Sequence, residues 1–288
     1  MIPVMIRKFS LSALLLLAAC SSSEPLDPAR APDGTAAAAM RQHAHAHNDY
    51  LHERPLLDAL ERGFGSVEAD VFRTLAGELA VAHSLAEIRP GRTLRALYLD
   101  PLEDYAATHG GVIHDEGRLQ LLVDLKTAGP ASWAELERQL AEYGDLFTRH
   151  DGSGVHAGAV DVVVSGNRPR AEMEAAATRR SGYDGRLTDL DDPAPASFMP
   201  LISANWATEF GWDGNGDFPE AQRAKLADAV QRTHAAGRRL RLWGTPDTAG
   251  EARDRLWCTL LASGVDWINT DDLDGLRDFF GRAPCRPG

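Results

Sequence analysis

The fold is decided by Ser66-Val67-Glu68-Ala69-Asp70-Val71 and its counterpart Leu121-Leu122-Val123-Asp124-Leu125-Lys126. Each is a short run that is apolar at every second position and turns polar at its end. Side chains alternate across a strand with period two. Glu68 and Asp70 therefore share one face, with Val67, Ala69 and Val71 on the other; Asp124 and Lys126 share a face opposite Val123 and Leu125. A strand that is greasy on one side and acidic on the other suits a barrel. Its outer face packs on helices and its inner face looks into a polar mouth.

Working outward, the same strand and helix alternation runs along the chain. Candidate strands end near His45, Val71, Leu125, Ser165, Leu187, Ala204, Trp243 and Ile268; the one over Tyr183–Leu187 has the thinnest pattern. Helical periodicity lies between them at Pro55–Arg62, Leu94–Thr108, Ser132–Tyr143, Ala171–Thr178, Pro219–Ala236 and Ala249–Ser263, and Leu273–Phe280 closes the chain. Eight such units predict an α/β fold of the (β/α)₈ TIM barrel type, in a single domain. An open doubly wound sheet is the alternative, but the sequence has neither of the glycine-rich phosphate loops such sheets carry.

Composition agrees. The 288 residues are 44% hydrophobic and 25% charged, which excludes disordered, collagenous and multi-pass membrane classes. With 30 basic and 42 acidic side chains the net charge is −12, and no basic block is present, so nucleic acid is not an expected partner. An anionic substrate would need a local source of positive charge, such as a metal ion.

The N-terminus reads as a processing signal. Arg7 and Lys8 precede the apolar run Leu11–Ala19, and Leu17-Ala18-Ala19-Cys20 follows. The run is too short to span a bilayer, and the cysteine makes it look like a bacterial lipobox. The expectation is a signal peptide over residues 1–19, lipidation at Cys20, a flexible tether over 20–40 rich in Ser, Pro, Ala and Gly, and a barrel over 41–288. That places the protein at the bacterial cell envelope, anchored to a membrane through Cys20 and acting as a monomer. An ordinary signal peptide with an incidental Cys20 is the alternative. Cys258, in a helical pattern, and Cys285, in the tail, either form a disulfide or remain one buried and one exposed thiol.

If the chain is a barrel, its chemistry belongs where strands end. The polar clusters fall there: His43-Ala44-His45-Ala46-His47-Asn48-Asp49-Tyr50 at the first strand, Glu68 and Asp70 at the second, Ala82-His83-Ser84 after a glycine turn, and Asp124-Leu125-Lys126 at the third. Converging carboxylates repel and raise one another's pKa unless a cation neutralises them. Oxygen-only ligands suit Ca²⁺ or Mg²⁺ rather than zinc. Alone, Glu68-x-Asp70 reads as solvated residues at a strand end, Asp124-x-Lys126 as a local ion pair and His83 as an ordinary histidine. Their occurrence together on successive strand ends argues for a site.

The ordered set His47-Asn48-Asp49-Tyr50, Glu68-x-Asp70, His83 and Asp124-x-Lys126 resembles the phospholipase C-like phosphodiesterases, which include phosphatidylinositol-specific phospholipases C and glycerophosphodiester phosphodiesterases. Within them it is most similar to the "altered inheritance of mitochondria protein six" branch, a resemblance that extends to Arg92-Thr93-Leu94, Trp243-Gly244-Thr245-Pro246-Asp247 and Asn269-Thr270-Asp271-Asp272. The resemblance implies a metal-dependent phosphoric diester hydrolase or cyclising lyase on a TIM barrel. It implies a catalytic pair in His47 and His83, ligands for one divalent cation, Ca²⁺ ahead of Mg²⁺, in Asn48, Glu68, Asp70 and Asp124, a phosphate contact in Lys126 and a pocket wall in Trp243. The substrate would be a small phosphodiester or phospholipid. The His-Arg-Gly and Glu-Asn-Thr runs of glycerophosphodiesterases are absent, and Asp124 stands where many relatives have Glu. Arg241 shares the strand face of Trp243 and is open to two readings, a phosphate contact or an interior ion pair with a barrel carboxylate. Trp206 and Trp212 suit core or loop packing better than a pocket wall.

Two rivals use the same residues differently. His43-x-His45-x-His47 is similar to the His-x-His of metal-dependent amidohydrolases, whose later histidine ligands have no counterpart here, since beyond position 156 the sequence offers only His234. A non-catalytic envelope lipoprotein that holds a phosphorylated ligand is the other.

Overall fold

In the computed structural model, which describes residues 34–282 and Cys285, eight parallel strands close on themselves. They are β1 (Ala44–Ala46), β2 (Ser66–Arg73), β3 (Leu119–Leu125), β4 (Val160–Gly166), β5 (Ser181–Gly185), β6 (Leu201–Asn205), β7 (Arg239–Trp243) and β8 (Trp267–Thr270). Each pairs in parallel with the next, and β1 pairs with both β8 and β2, which shuts the barrel. This is the predicted TIM barrel, in one domain.

Helices cover the outside: α1 (Gly34–His43), α2 (Leu57–Glu61), α3 (Asp100–Thr108), α4 (Gly129–Ala141), α5 (Arg170–Ala175), α6 (Trp206–Glu209), α7 (Glu220–Ala235), α8 (Glu251–Ala262) and α9 (Leu273–Arg282). Their buried stripes recur at helical spacing, as Leu226, Ala229, Val230 and Thr233 do along α7. The outward strand residues Val67, Ala69, Val71, Val123 and Leu125 join these stripes in one outer core.

The interior of the barrel is layered. Leu122, Val163, Leu201 and Trp267, each at most 1% exposed, form an apolar layer separate from the outer core. Toward the strand ends the inward positions turn polar, with Glu68, Asp70, Ser165, Asp184, Ser203, Arg241 and Asn269 all buried.

Three local features differ from the sequence expectation. Helix α1 begins at Gly34, inside the stretch expected as tether, and buries Ala36 and Met40 while packing on α9. Its Thr-Ala-Ala-Ala-Ala-Met run has high helix propensity, which a count of small residues does not capture. Strand β5 ends at Gly185, and Leu187 opens a short helical turn (Leu187–Asp189) instead. Gly182 sits so close to Pro200 that an added Cβ would lie 2.7 Å from the proline ring, so packing demands a glycine where a strand would show an apolar residue. A three-stranded sheet of Arg149–Asp151, Gly154–His156 and Thr178–Arg179 stands beside the strand starts, with no sequence signal. Cys258 and Cys285 form a disulfide, Cα–Cα 5.3 Å, tying the tail to α8. Trp206 and Trp212 are buried. The stretch expected as a signal peptide, and Cys20, lie outside the described residues. Among the described residues no helix is long and apolar enough to cross a membrane.

Candidate active site

The carboxylates that the sequence placed on strand ends meet in the barrel mouth. Oxygens of Glu68, Asp70 and Asp124 lie within 4.8 Å of one another. Register explains it: Asp70 on β2 faces Asp124 on β3, and Asp124 faces Ser165 on β4. Gly166 follows with φ +68°, and a Cβ there would lie 2.3 Å from Asp124 Oδ1. Only glycine both adopts that backbone and leaves the carboxylate its space.

Two cations serve the cluster from different depths. Lys126 Nζ bridges Asp70 Oδ2 at 3.0 Å and Asp124 Oδ1 at 3.1 Å. Arg241 lies deeper, 3% exposed, with Nη2 2.5 Å from Glu68 Oε2 and Nε donating to Asn269 Oδ1. It therefore takes the second of its two sequence readings, an interior ion pair. Burial alone would push Glu68 up, but Arg241 and the hydrogen bond with His45 hold it well below the usual carboxylate range. Asp124 is raised, by burial first and then by Asp70 and Glu68, against the pull of Lys126. Burial would lower Lys126, yet Asp124 and Asp70 raise it.

The two candidate catalytic histidines flank this cluster. His47 Nδ1 is 2.7 Å from Asp271 Oδ1, and its Nε2 is 4.0 Å from Glu68 Oε2. His83 follows the short strand Leu79–Val81, antiparallel to β2. Its Nδ1 is 3.0 Å from Asp70 Oδ2, and its side chain is 63% exposed. One ring thus meets the Glu68 end of the cluster and the other the Asp70 end. Asn48, in the left-handed region at φ 48°, accepts from the Tyr50 hydroxyl at 2.8 Å and donates to Asp271. Trp243, 37% exposed at the end of β7, stands at the mouth.

Tyr50 and Asp271 had no role in the sequence reading, and His45 had one only in the rival amidohydrolase arrangement. Tyr50 Oη lies 2.8 Å from Asp70 Oδ2 and 3.3 Å from His83 Nδ1, joining Asn48 to the cluster. Burial and Asp70 raise its pKa, so it stays a donor. Asp271 orients His47. His45 is fully buried between Ser66 and Glu68, and burial, then Arg241, lower it to about 3. The quoted His-Asn-Asp-Tyr and Asn-Thr-Asp-Asp runs contained Tyr50 and Asp271; what spacing lacks is which side chains meet across the mouth.

The donor set fits a hard divalent cation. Three carboxylates face two fixed cationic side chains, and the buried Asp70 Oδ1 has no hydrogen-bond partner. The amidohydrolase arrangement is not assembled: His43 sits on α1 bonded to the carbonyl of Asp266, and His234 pairs with the Asp266 carboxylate.

A family model described as an AIM6-like phosphodiesterase domain matches residues 35–184, just over half of the chain. The chain belongs to this family. Curated relatives named altered inheritance of mitochondria protein 6 agree with the AIM6-like assignment. The protein from Eremothecium gossypii is 28% identical over 82% of this chain and 68% of its own length. The homolog from Arthroderma benhamiae is 29% identical over 82% and 83%. The protein from Saccharomyces cerevisiae is 44% identical over 80% and 68%. Among solved structures, a putative glycerophosphoryl diester phosphodiesterase from Silicibacter pomeroyi superposes with TM-score 0.51 at 14% identity, covering 87% of this chain and 98% of its own. A glycerophosphodiester phosphodiesterase from Parabacteroides distasonis gives 0.50 at 14%, covering 84% and 97%. At that identity the AIM6-like domain shares their fold.

The relatives correct one expectation. The curated proteins matched are fungal and named for altered inheritance of mitochondria, which overturns the placement of this AIM6-like chain as a lipid-anchored lipoprotein of the bacterial cell envelope. That expectation rested on a short leader and Cys20, whereas the relatives match through the barrel.

Proposed function

We propose that this AIM6-like domain is a metal-dependent phosphodiesterase that cleaves a small phosphodiester, such as a glycerophosphodiester or a phospholipid head group, by hydrolysis or by cyclisation. The observation that carries the reading is the Glu68, Asp70 and Asp124 cluster with His47 at one end and His83 at the other.

A phosphodiester repels nucleophiles through its own charge. A divalent cation held by Glu68, Asp70 and Asp124, with Asn48 beside them, would supply positive charge to the non-bridging oxygens; we take Ca²⁺ ahead of Mg²⁺. Lys126 would add a second positive charge at the same oxygens. His47 is built as a base: Asp271 accepts at Nδ1, which leaves the Nε2 lone pair facing the cluster to take a proton from the attacking hydroxyl. His83 is held through Nδ1 by Asp70 and Tyr50, which leaves Nε2 to give a proton to the departing alkoxide. Each transfer contributes typically 10²–10⁴-fold. Trp243 would wall the leaving group.

The test is turnover of glycerophosphodiesters, lysophospholipids and phosphatidylinositol with Ca²⁺, Mg²⁺ or chelator, with products followed by phosphorus NMR so that cyclic phosphates are seen. Turnover that needs a divalent cation and falls at least a hundredfold in His47→Ala and in His83→Ala is the expected result. No turnover on any of these with either ion, or turnover indifferent to both substitutions, overturns the reading.

A further inference from the structure

The layer of Leu122, Val163, Leu201 and Trp267 divides the barrel interior into two polar compartments. The carboxylate cluster occupies one. The other is a cavity of about 390 Å³ among the strand starts, where Gln120, Gly182, Pro200 and Arg239 line it. Val163, from the dividing layer, reaches its wall, so the two compartments meet back to back with apolar side chains between them.

The chemistry of this cavity is the reverse of the mouth. Arg118, Arg180, Arg239 and His150 line it, against Asp161 as its one carboxylate. Arg118 Nε donates to Asp161 Oδ2 at 2.7 Å, and the Arg239 guanidinium lies over the Trp267 ring at 3.7 Å. Arg118 is thus paired with Asp161, and Arg239 Nε faces Asp266 Oδ1 at 3.7 Å, so among the described residues Arg180 is the lining guanidinium with no carboxylate in ion-pair reach. Two polar atoms are also stranded: Arg180 Nε and His150 Nδ1 are buried with no hydrogen-bond partner. Buried polar groups are as a rule paired, so two stranded at one cavity call for a partner that supplies the missing bonds. Burial first, and then Arg179, lower His150 to about 4, so at neutral pH it offers a neutral imidazole beside the guanidinium groups.

We propose that this cavity is a second ligand site, at the opposite end of the barrel from the carboxylates, which takes a small molecule through a phosphate-type oxyanion. Guanidinium groups match such an anion in charge and fork geometry. The oxyanion would accept from Arg180 Nε and lie between Arg118 and Arg239. Val155, Val163 and Pro200 would carry whatever carbon skeleton is attached, in a volume within the range of small-molecule sites. A smaller cavity of about 300 Å³ on the same face shares Arg118 and Arg239 and adds Arg41 together with Glu116. The assignment does not depend on what the mouth does.

The experiment is calorimetric titration of the full chain with inorganic phosphate, pyrophosphate and phenyl phosphate. Wild type is expected to bind at least one of them at millimolar concentration or tighter. Lys126→Ala, which alters only the mouth, should retain that event. Arg180→Gln should weaken it at least tenfold, and Arg118→Gln, at a half-exposed side chain, at least threefold; melting curves report folding of each variant. If Arg180→Gln does not fold, the Arg118→Gln and Lys126→Ala pair decides. Tighter binding of phenyl phosphate identifies an organic ester as the occupant, and equal binding identifies free phosphate; both keep the oxyanion chemistry. Binding lost in Lys126→Ala and kept in the arginine variants overturns the proposal, as does no binding of any of the three anions.

Discussion

Arg241 Nη2 lies 2.5 Å from Glu68 Oε2, and both side chains are almost completely buried at the base of the mouth. The pair spans the barrel from β7 to β2 and fixes Glu68 as an anion beneath the site. Breaking a buried pair from one side strands the other charge and costs about 3–5 kcal/mol. Arg241→Met should therefore lower unfolding free energy by that amount in denaturant titrations. Glu68→Gln with Arg241→Met should recover much of the loss. An Arg241→Met variant as stable as wild type would show that the pair does not hold Glu68.

The carboxylate cluster should bind cation whether or not substrate is present. Ligands that bind the native state stabilise it by RT ln(1 + [L]/Kd), about 2.7 kcal/mol at a hundredfold excess over Kd. Ca²⁺ or Mg²⁺ should raise the melting temperature of the wild type, and Asp124→Asn should remove the rise. An equal rise in Asp124→Asn would locate the ion elsewhere.

Tyr50 tests whether positioning matters. Its hydroxyl touches Asn48, Asp70 and His83. Tyr50→Phe keeps the ring and removes the shared donor, so His83 and Asp70 lose a common restraint. The expected effect is about a tenfold loss in kcat, equivalent to about 1.4 kcal/mol, with KM nearly constant. An unchanged kcat in an otherwise active enzyme would assign Tyr50 to packing alone.

These predictions draw unequally on what the sequence alone disclosed. The period-two reading of Glu68, Asp70, Asp124 and Lys126 was sufficient to place all four on inward faces, because alternation is a local property of a strand. Seven strands were legible from apolar runs ending in polar residues. The fifth was displaced because close approach to Pro200 requires Gly182. Tyr50 and Asp271 stood inside quoted motifs, but their roles depend on contacts across 20 and 224 positions of sequence, which no spacing rule supplies. The same holds for Arg241, whose two readings, a phosphate contact or an interior ion pair, turned on whether a barrel carboxylate lay within reach. The cationic cavity was invisible for the same reason: Arg118, Arg180 and Arg239 lie about sixty positions apart along the chain and meet only in the fold.

The disulfide should carry measurable stability. Cys258 and Cys285 close a loop with a sequence separation of 27, for which chain entropy gives about 3.5 kcal/mol. Cys285→Ser should lower the unfolding free energy by roughly 2–4 kcal/mol, and a reducing agent should bring wild type down to the same value. If reductant has no effect on the wild-type transition, the link does not form in solution.

Acid should destabilise the fold through buried histidines before it reaches the carboxylates. Burial lowers His45 to about 3 and His114 and His150 to about 4, from an ordinary value of 6.5. A histidine depressed in the native state takes up its proton only on unfolding, so the unfolded chain binds more protons between the two values. Stability is then full above pH 6.5 and falls as pH drops toward 4, by at most about 1.4 kcal/mol per pH unit for each residue. His114 bonds to the carbonyl of Phe64, away from the mouth, and isolates the effect. His114→Gln should flatten the dependence between pH 6.5 and 4 by one proton and leave the stability at pH 8 within about 1 kcal/mol. A slope unchanged by the substitution would mean that His114 titrates alike in the folded and unfolded chain.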